Sequence, residues 1–184
     1  MGTRRVKLTG IGYWAKVFED NRDLTGFENA LADIGGQTTI DLDIDNVQLD
    51  KLKKSRSMKR GTPSPDNDGL TRVKFTRKWT ENYGGGAPTV VKVDGSAWDY
   101  DEDGPIGNGS TIEVVLSVYD TSRKSIVGTR LDKVKVIVHN PYDPDGEDEV
   151  DDTPPPAPKA APKAAPRTQK PLPPSSDLDD EIPF

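Results

Sequence analysis

Apolar and polar residues alternate with a period of two through most of the first 142 positions. In residues 3–18 (TRRVKLTGIGYWAKVF), Ile11, Tyr13, Ala15 and Val17 fall on one side of an extended strand, with Trp14, Lys16 and Phe18 on the other. The first set is expected in the core; the second mixes aromatics with a cation. Residues 37–45 (QTTIDLDID) turn Thr38, Ile40, Leu42 and Ile44 inward and Asp41, Asp43 and Asp45 outward. That pattern predicts a half-buried strand with an acidic outer face, which nucleic acid should avoid. Residues 70–79 (LTRVKFTRKW) set Thr71, Val73 and Phe75 against a row of outward Arg72, Lys74, Thr76 and Lys78. Further strands are expected at 89–93, 111–119 and 126–139, separated by Gly84-Gly85-Gly86, an Asp-rich loop at 99–110 and a short connection at 120–124. Capping boxes mark two short helices: Thr25-x-x-Glu28 ahead of Phe27, Ala30, Leu31 and Ile34, and Asp45-x-x-Gln48 ahead of Leu49 and Leu52. Five or six strands with one or two short helices predict a mainly β domain, a compact antiparallel barrel or sandwich.

The alternation ends near Asn140-Pro141-Tyr142. Eleven of the 16 prolines follow that point, whereas 11 of the 12 aromatics lie at or before it. Residues 153–176 (TPPPAPKAAPKAAPRTQKPLPPSS) cannot bury enough apolar area to offset their ordering entropy, and are expected to be a disordered, semi-extended linker. At roughly 3.1 Å per residue, its 24 positions reach about 70 Å. The chain therefore divides into a domain at 1–142, an acidic then Pro/Ala-rich linker at 143–176, and a tip at 177–184.

Only 32% of the residues are hydrophobic, as a long unpacked segment requires. The formal charge of −6 conceals four blocks: +1 over 1–142, −7 over 143–152, +4 over 153–176 and −4 over 177–184. No cysteine is present and His139 is the only histidine, so disulfide scaffolds, thiolate zinc sites and Ser-His-Asp triads lack their parts. No apolar run approaches the 18 or so residues a membrane span needs, and no charged segment followed by an apolar one opens the sequence. The expectation is a soluble, cytoplasmic chain without a membrane association or a cofactor.

Residues 51–80 carry ten basic groups against Asp66 and Asp68, a local charge of +8, while the rest of the domain is −7. A polyanion would be drawn to one side of such a domain. The candidate contacts are Lys54, Arg56, Lys59, Arg60, Arg72, Lys74, Arg77 and Lys78, with Lys16 from the first strand. Trp79, Tyr83 and Trp14 supply aromatic faces near them. Cations tracking phosphates and rings stacking on bases are the two components of single-strand binding. Trp79 shares parity with Val73 and Phe75, which also suits a core position.

The last residues, Asp179-Asp180-Glu181-Ile182-Pro183-Phe184, read as a peptide ligand: an aromatic and an isoleucine for apolar depressions, a proline that lowers docking entropy, and acids that steer toward a basic rim. This ending closely resembles the acidic Ile-Pro-Phe tip of bacterial single-stranded DNA-binding proteins, with Glu in place of Asp. The body resembles phage single-stranded DNA-binding proteins of the short-tailed-phage type, in the phrases Trp14-Ala15-Lys16-Val17-Phe18-Glu19, Arg72-Val73-Lys74-Phe75-Thr76-Arg77, Gly107-Asn108-Gly109-Ser110 and Leu131-Asp132-Lys133-Val134-Lys135-Val136. The resemblance implies an OB-fold that coats unpaired DNA in replication, recombination and repair and recruits partner proteins through the tip. A homodimer stays open.

Other readings use the same letters. Asp99-Tyr100-Asp101-Glu102-Asp103-Gly104 imitates the first half of a calcium-binding loop, but Ser110 stands where the closing glutamate belongs. Asp41, Asp43 and Asp45 could serve a metal-dependent nuclease, yet no base or second ligand cluster lies nearby in sequence. An adaptor that binds only protein also remains. The sequence favours a non-enzymatic binder of single-stranded DNA whose acidic tail can return to the basic groove when DNA is absent.

Overall fold

The computed structural model describes residues 2–80, 85–122 and 126–142. Backbone contacts separate a unit at Met1–Gly146 from a remainder, Glu147–Phe184, that lies outside the described residues. The expected linker and tip therefore lie outside them too.

Among the described residues, seven strands and two short helices follow the order β1 (Thr3–Lys16), β2 (Gln37–Ile44), α1 (Asn46–Lys54), β3 (Gly61–Pro63), β4 (Thr71–Lys78), β5 (Thr89–Val91), α2 (Tyr100–Asp103), β6 (Ser110–Asp120) and β7 (Val127–Val138). They form one sheet in the order β3-β4-β2-β1-β6-β7-β5. All neighbours are antiparallel except β5 and β7, which run parallel. The fold is mainly β and OB-fold-like. Against the expectation of five or six antiparallel strands there are seven, because three residues at Gly61–Pro63 pair with β4. Among the described residues no ladder closes β4 onto β7. A side chain ties them instead, Arg77 donating to Leu131 O at 3.3 Å.

One face of the bent sheet holds the core: Leu8, Ile40, Leu42, Val73, Phe75, Ile112, Val114, Leu116 and Leu131 are all fully buried. Here β1 departs from the expected parity. Its inward positions are Val6, Leu8, Gly10 and Gly12, while Ile11 and Tyr13 are only half-buried. A register shift between Tyr13 and Lys16 then resets the alternation and sends Val17 to the core. Gly10 permits the close approach of β1 and β2, since a Cβ there would stand 2.3 Å from Asp43 O.

Asp45 caps α1 as expected, accepting from Gln48 N at 2.8 Å. The helix expected after Thr25 is replaced by two 3-10 turns, Phe27–Asn29 and Ala32–Ile34. Asp23 takes the Thr25 and Gly26 amides, and left-handed φ angles at Gly26, Glu28 and Asn29 interrupt any longer helix. The Asp-rich loop contains α2, capped by Asp99, whose carboxylate accepts from Asp101 N and Glu102 N. His139 packs edge-on against Trp98 at 4.8 Å. No helix among the described residues is long and apolar enough to cross a membrane.

Candidate nucleic-acid interface

Trp14 sits where β1 breaks step. Its φ of +51° is left-handed, a conformation that costs a side-chain-bearing residue about 1–2 kcal/mol. The bulge re-aims the indole outward, leaving it 61% exposed. Asn108 secures the bulge by accepting from Trp14 N at 2.8 Å, and Asn140 Nδ2 in turn donates to Asn108 O at 2.6 Å.

Lys16 and Lys74 share a hollow with this indole. Asp23, Gln37, Thr39 and Asp41 complete its lining, which encloses about 360 Å³. Lys74 faces Asp41 across the β2–β4 ladder with Nζ 3.5 Å from Oδ1, and its side chain is 61% exposed. Lys59 lies close enough to feel that charge: burial first and Lys74 second hold its ammonium below the ordinary lysine value. Lys59 and Arg60 line a second groove of about 610 Å³, together with Lys53 of α1 and the residues of β3. Trp14, Lys16 and Lys74 thus line one hollow and Lys59 and Arg60 a second, which β3 sets beside β4, the strand that carries Lys74.

The remaining candidates lie elsewhere. Arg72 donates from Nε to Asp43 Oδ1 at 2.7 Å and from Nη2 to Asp66 Oδ2 at 2.7 Å, and is only 12% exposed. The acidic outer face expected of β2 is consequently not exposed. Asp43 is 1% and Asp41 9% accessible, because β4 lays a cation opposite each. The loop at 60–70 is pinned to the same carboxylate by Ser64 Oγ and Asn67 Nδ2. Arg77 turns into the fold, donating to Gly85 O at 2.9 Å and Gly86 O at 3.1 Å.

Lys54 instead faces a shallow hollow of about 390 Å³ with Arg4, Arg5, Lys7 and Lys51. Arg56 is exposed just beyond α1, and Lys78 shares a small hollow with Tyr119 and Arg130. Trp79 is half-buried, with the Arg22 guanidinium 4.4 Å from its ring centroid, so one of its faces is occupied. Tyr83 and the tip residues 179–184 lie outside the described residues. The expected single groove is therefore divided into a tract beside Trp14 and separate basic hollows.

Sequence reasoning overlooks Asn108, which positions Trp14, and Arg5 and Lys7, which join the cations of α1. The close spacing of Arg4, Arg5 and Lys7 is a signal for the latter. Asn108 stands in one of the phrases that carry the family resemblance, and its place between two glycines is typical of a residue serving a turn.

No family model matches the chain, and no curated protein matches it in sequence. Solved structures do share its fold. One is gp2.5, a single-stranded DNA-binding protein encoded by bacteriophage T7, with 19% identity over 81% of this chain and 98% of that one, at a TM-score of 0.50. A second is the single-stranded DNA-binding protein from bacteriophage Enc34 in complex with single-stranded DNA, with 13% identity over 77% of this chain and 90% of that one, at a TM-score of 0.52. A C-terminal truncation of the Enc34 protein matches with 11% identity over 77% and 89% of the two chains, at a TM-score of 0.50. At these identities the likeness establishes the fold.

Proposed function

We propose that this protein binds single-stranded DNA without acting on it chemically, coating and protecting unpaired strands in replication and recombination. The observation that carries the reading is Trp14, turned outward at a strained bulge beside Lys16 and Lys74. An indole displayed in this way supplies a stacking surface, and the neighbouring ammonium groups supply phosphate contacts. The fold is one that single-stranded DNA-binding proteins of two phages also use. Lys59 and Arg60 extend the tract past Lys74, so a strand lying there meets cations beyond the first hollow.

The tip extends the proposal. Asp179, Asp180, Glu181, Ile182, Pro183 and Phe184 form an acidic-to-apolar peptide suited to a basic-rimmed pocket on replication or recombination proteins. Its recruiting role rests on the sequence alone, and loss of partner capture after deletion of 177–184 is its test.

The DNA reading is tested by titrating the full chain with oligo-dT while following tryptophan fluorescence at several salt concentrations. Saturable quenching is expected, with log affinity falling by about 0.7 per decade of salt for each phosphate neutralised. Absence of quenching together with absence of a mobility shift would overturn the proposal.

A further inference from the structure

The hollow beside Trp14 has a floor ill-suited to phosphate. Gln37, Thr39 and Asp41 come from alternate positions of β2 and so share its outer face. Around them, Lys16 and Lys74 are balanced by Asp23 and Asp41, leaving the hollow without formal net charge. A phosphate gains little from entering such a site, whereas a flat uncharged ring gains both stacking and hydrogen bonds.

The two carboxylates differ in one respect. Asp23 is engaged by its own loop, Oδ1 accepting from Thr25 N at 3.3 Å and Gly26 N at 3.0 Å. Asp41 is largely buried, its side chain 13% exposed, and among the described residues its Oδ1 accepts no hydrogen bond. What holds it is an ion pair, with Lys74 Nζ at 3.5 Å on a side chain that is 61% exposed. A buried carboxylate oxygen held only by an ion pair at that distance keeps acceptor capacity to spare, which a ligand donor can fill.

We propose that this hollow is a nucleobase subsite in which Asp41 selects bases bearing amino donors, guanine foremost. The inference rests on the single-strand reading above and adds base preference to it. With the base stacked on Trp14, guanine offers two parallel donors, N1–H and the 2-amino group, to the two carboxylate oxygens. Cytosine and adenine offer one amino group beside an acceptor nitrogen. Thymine offers a single imide N–H between two carbonyl oxygens, which the carboxylate repels. Lys16 and Lys74 then take the phosphates on either side.

The test is competition between a labelled thymidine 12-mer and unlabelled 12-mers in which every third thymidine is replaced by dG, deoxyinosine, dC or dA. For the wild-type chain the dG oligomer is expected to bind about tenfold more tightly than the all-thymidine one, as for one well-made base contact. Deoxyinosine lacks the 2-amino group and loses most of that gain. Asp41→Asn is expected to abolish the preference and to bind the thymidine oligomer more tightly, since a negative charge leaves the site. Equal binding of the dG and thymidine oligomers by the wild type, or a preference that survives in Asp41→Asn, overturns the inference. The dG-to-inosine comparison needs only the wild type, so it decides the matter even where the variant does not fold. Failure of the wild type to bind any 12-mer overturns the single-strand reading itself.

Discussion

Arg72 grips Asp43 through two hydrogen bonds, Nε to Oδ1 at 2.7 Å and Nη2 to Oδ2 at 2.9 Å, directly across the β2–β4 ladder. Its guanidinium carbon also lies 4.1 Å from the centroid of the Tyr13 ring. Two strands, the 60–70 loop and an aromatic face thus meet at one buried carboxylate, which also accepts from Ser64 Oγ and Asn67 Nδ2. A cation so fully engaged holds the outer face of the sheet together and has little charge left for a ligand.

Asp43→Asn should therefore act on stability first. Removing one partner of a buried pair costs up to about 3–5 kcal/mol, and less here because Arg72 keeps Asp66 at 2.7 Å. Urea denaturation measures this directly, and a cost below about 1 kcal/mol would mark the pair as a surface interaction.

The same pair fixes the acid limb of stability. Burial works to raise the Asp43 pKa, but hydrogen bonds from Arg72, Ser64 and Asn67, together with the Arg72 charge, outweigh it and hold it below the ordinary 3.8. A carboxyl depressed in the folded state contributes its full stabilisation above the unfolded value and loses it as pH falls through the folded one. Wild-type stability should thus decline below about pH 4, from the ordinary carboxyl value, and Asp43→Asn should decline less steeply over the same interval. Parallel curves for the two proteins would assign the acid limb to other carboxylates.

Trp14 should carry the fluorescence response to DNA. Trp79 is half-buried under Arg22, and Trp98 donates its indole N–H to Gly104 O at 3.0 Å while packing against His139. Trp14→Phe is expected to remove most of the quenching by oligo-dT while retaining much of the affinity, and Trp14→Ala to weaken binding by about 1–3 kcal/mol, the worth of a stacked base. Asn108→Ala acts by releasing the bulge, so it should weaken binding only while Trp14 is present. Additive losses in the double variant would assign Asn108 a role apart from positioning the indole.

These relationships show where sequence is legible. Every strand except β3 lies within a few residues of its expected position, because alternation or a short apolar run marks it, and α1 does so because Asp45 and Gln48 mark its start. Alternation names the face of a strand but not the neighbour that covers it. Asp41 and Asp43 therefore read as a bare acidic face, until the register places Lys74 and Arg72 opposite them. Arg77 carries a usable signal, since it shares parity with Val73 and Phe75 and turns inward as they do. The bulge at Trp14 does not, because two successive outward residues look like ordinary alternation displaced by one.

Lys59 predicts proton uptake on binding. In the free protein, burial and then Lys74 push its pKa below the ordinary 10.5. A phosphate placed beside it restores the charged form, so the bound pKa is higher and binding takes up a proton between the two values. Affinity should accordingly fall as pH rises through that interval, at lower pH than an unperturbed lysine would dictate. Calorimetry in buffers of different ionisation enthalpy measures the uptake, which Lys59→Met should remove. Uptake unchanged in that variant would place the titrating group elsewhere.

Deletion of 177–184 should tighten DNA binding at low salt. The segments 143–152 and 177–184 together carry eleven acidic groups tethered to a domain whose cations are the proposed phosphate contacts. A tethered polyanion competes with DNA for those cations at a local concentration set by the linker. Removing its last four charges weakens that competition, and an oligo-dT titration near 20 mM salt, roughly the regime where surface charges act over tens of ångströms, should show a lower Kd. The advantage should shrink as salt rises, since the Debye length falls to about 10 Å at 0.1 M. Affinities that coincide at low salt would remove the tail from the electrostatics of DNA binding, and a gain that persists at high salt would point to contacts made by Ile182 and Phe184 rather than by the acids.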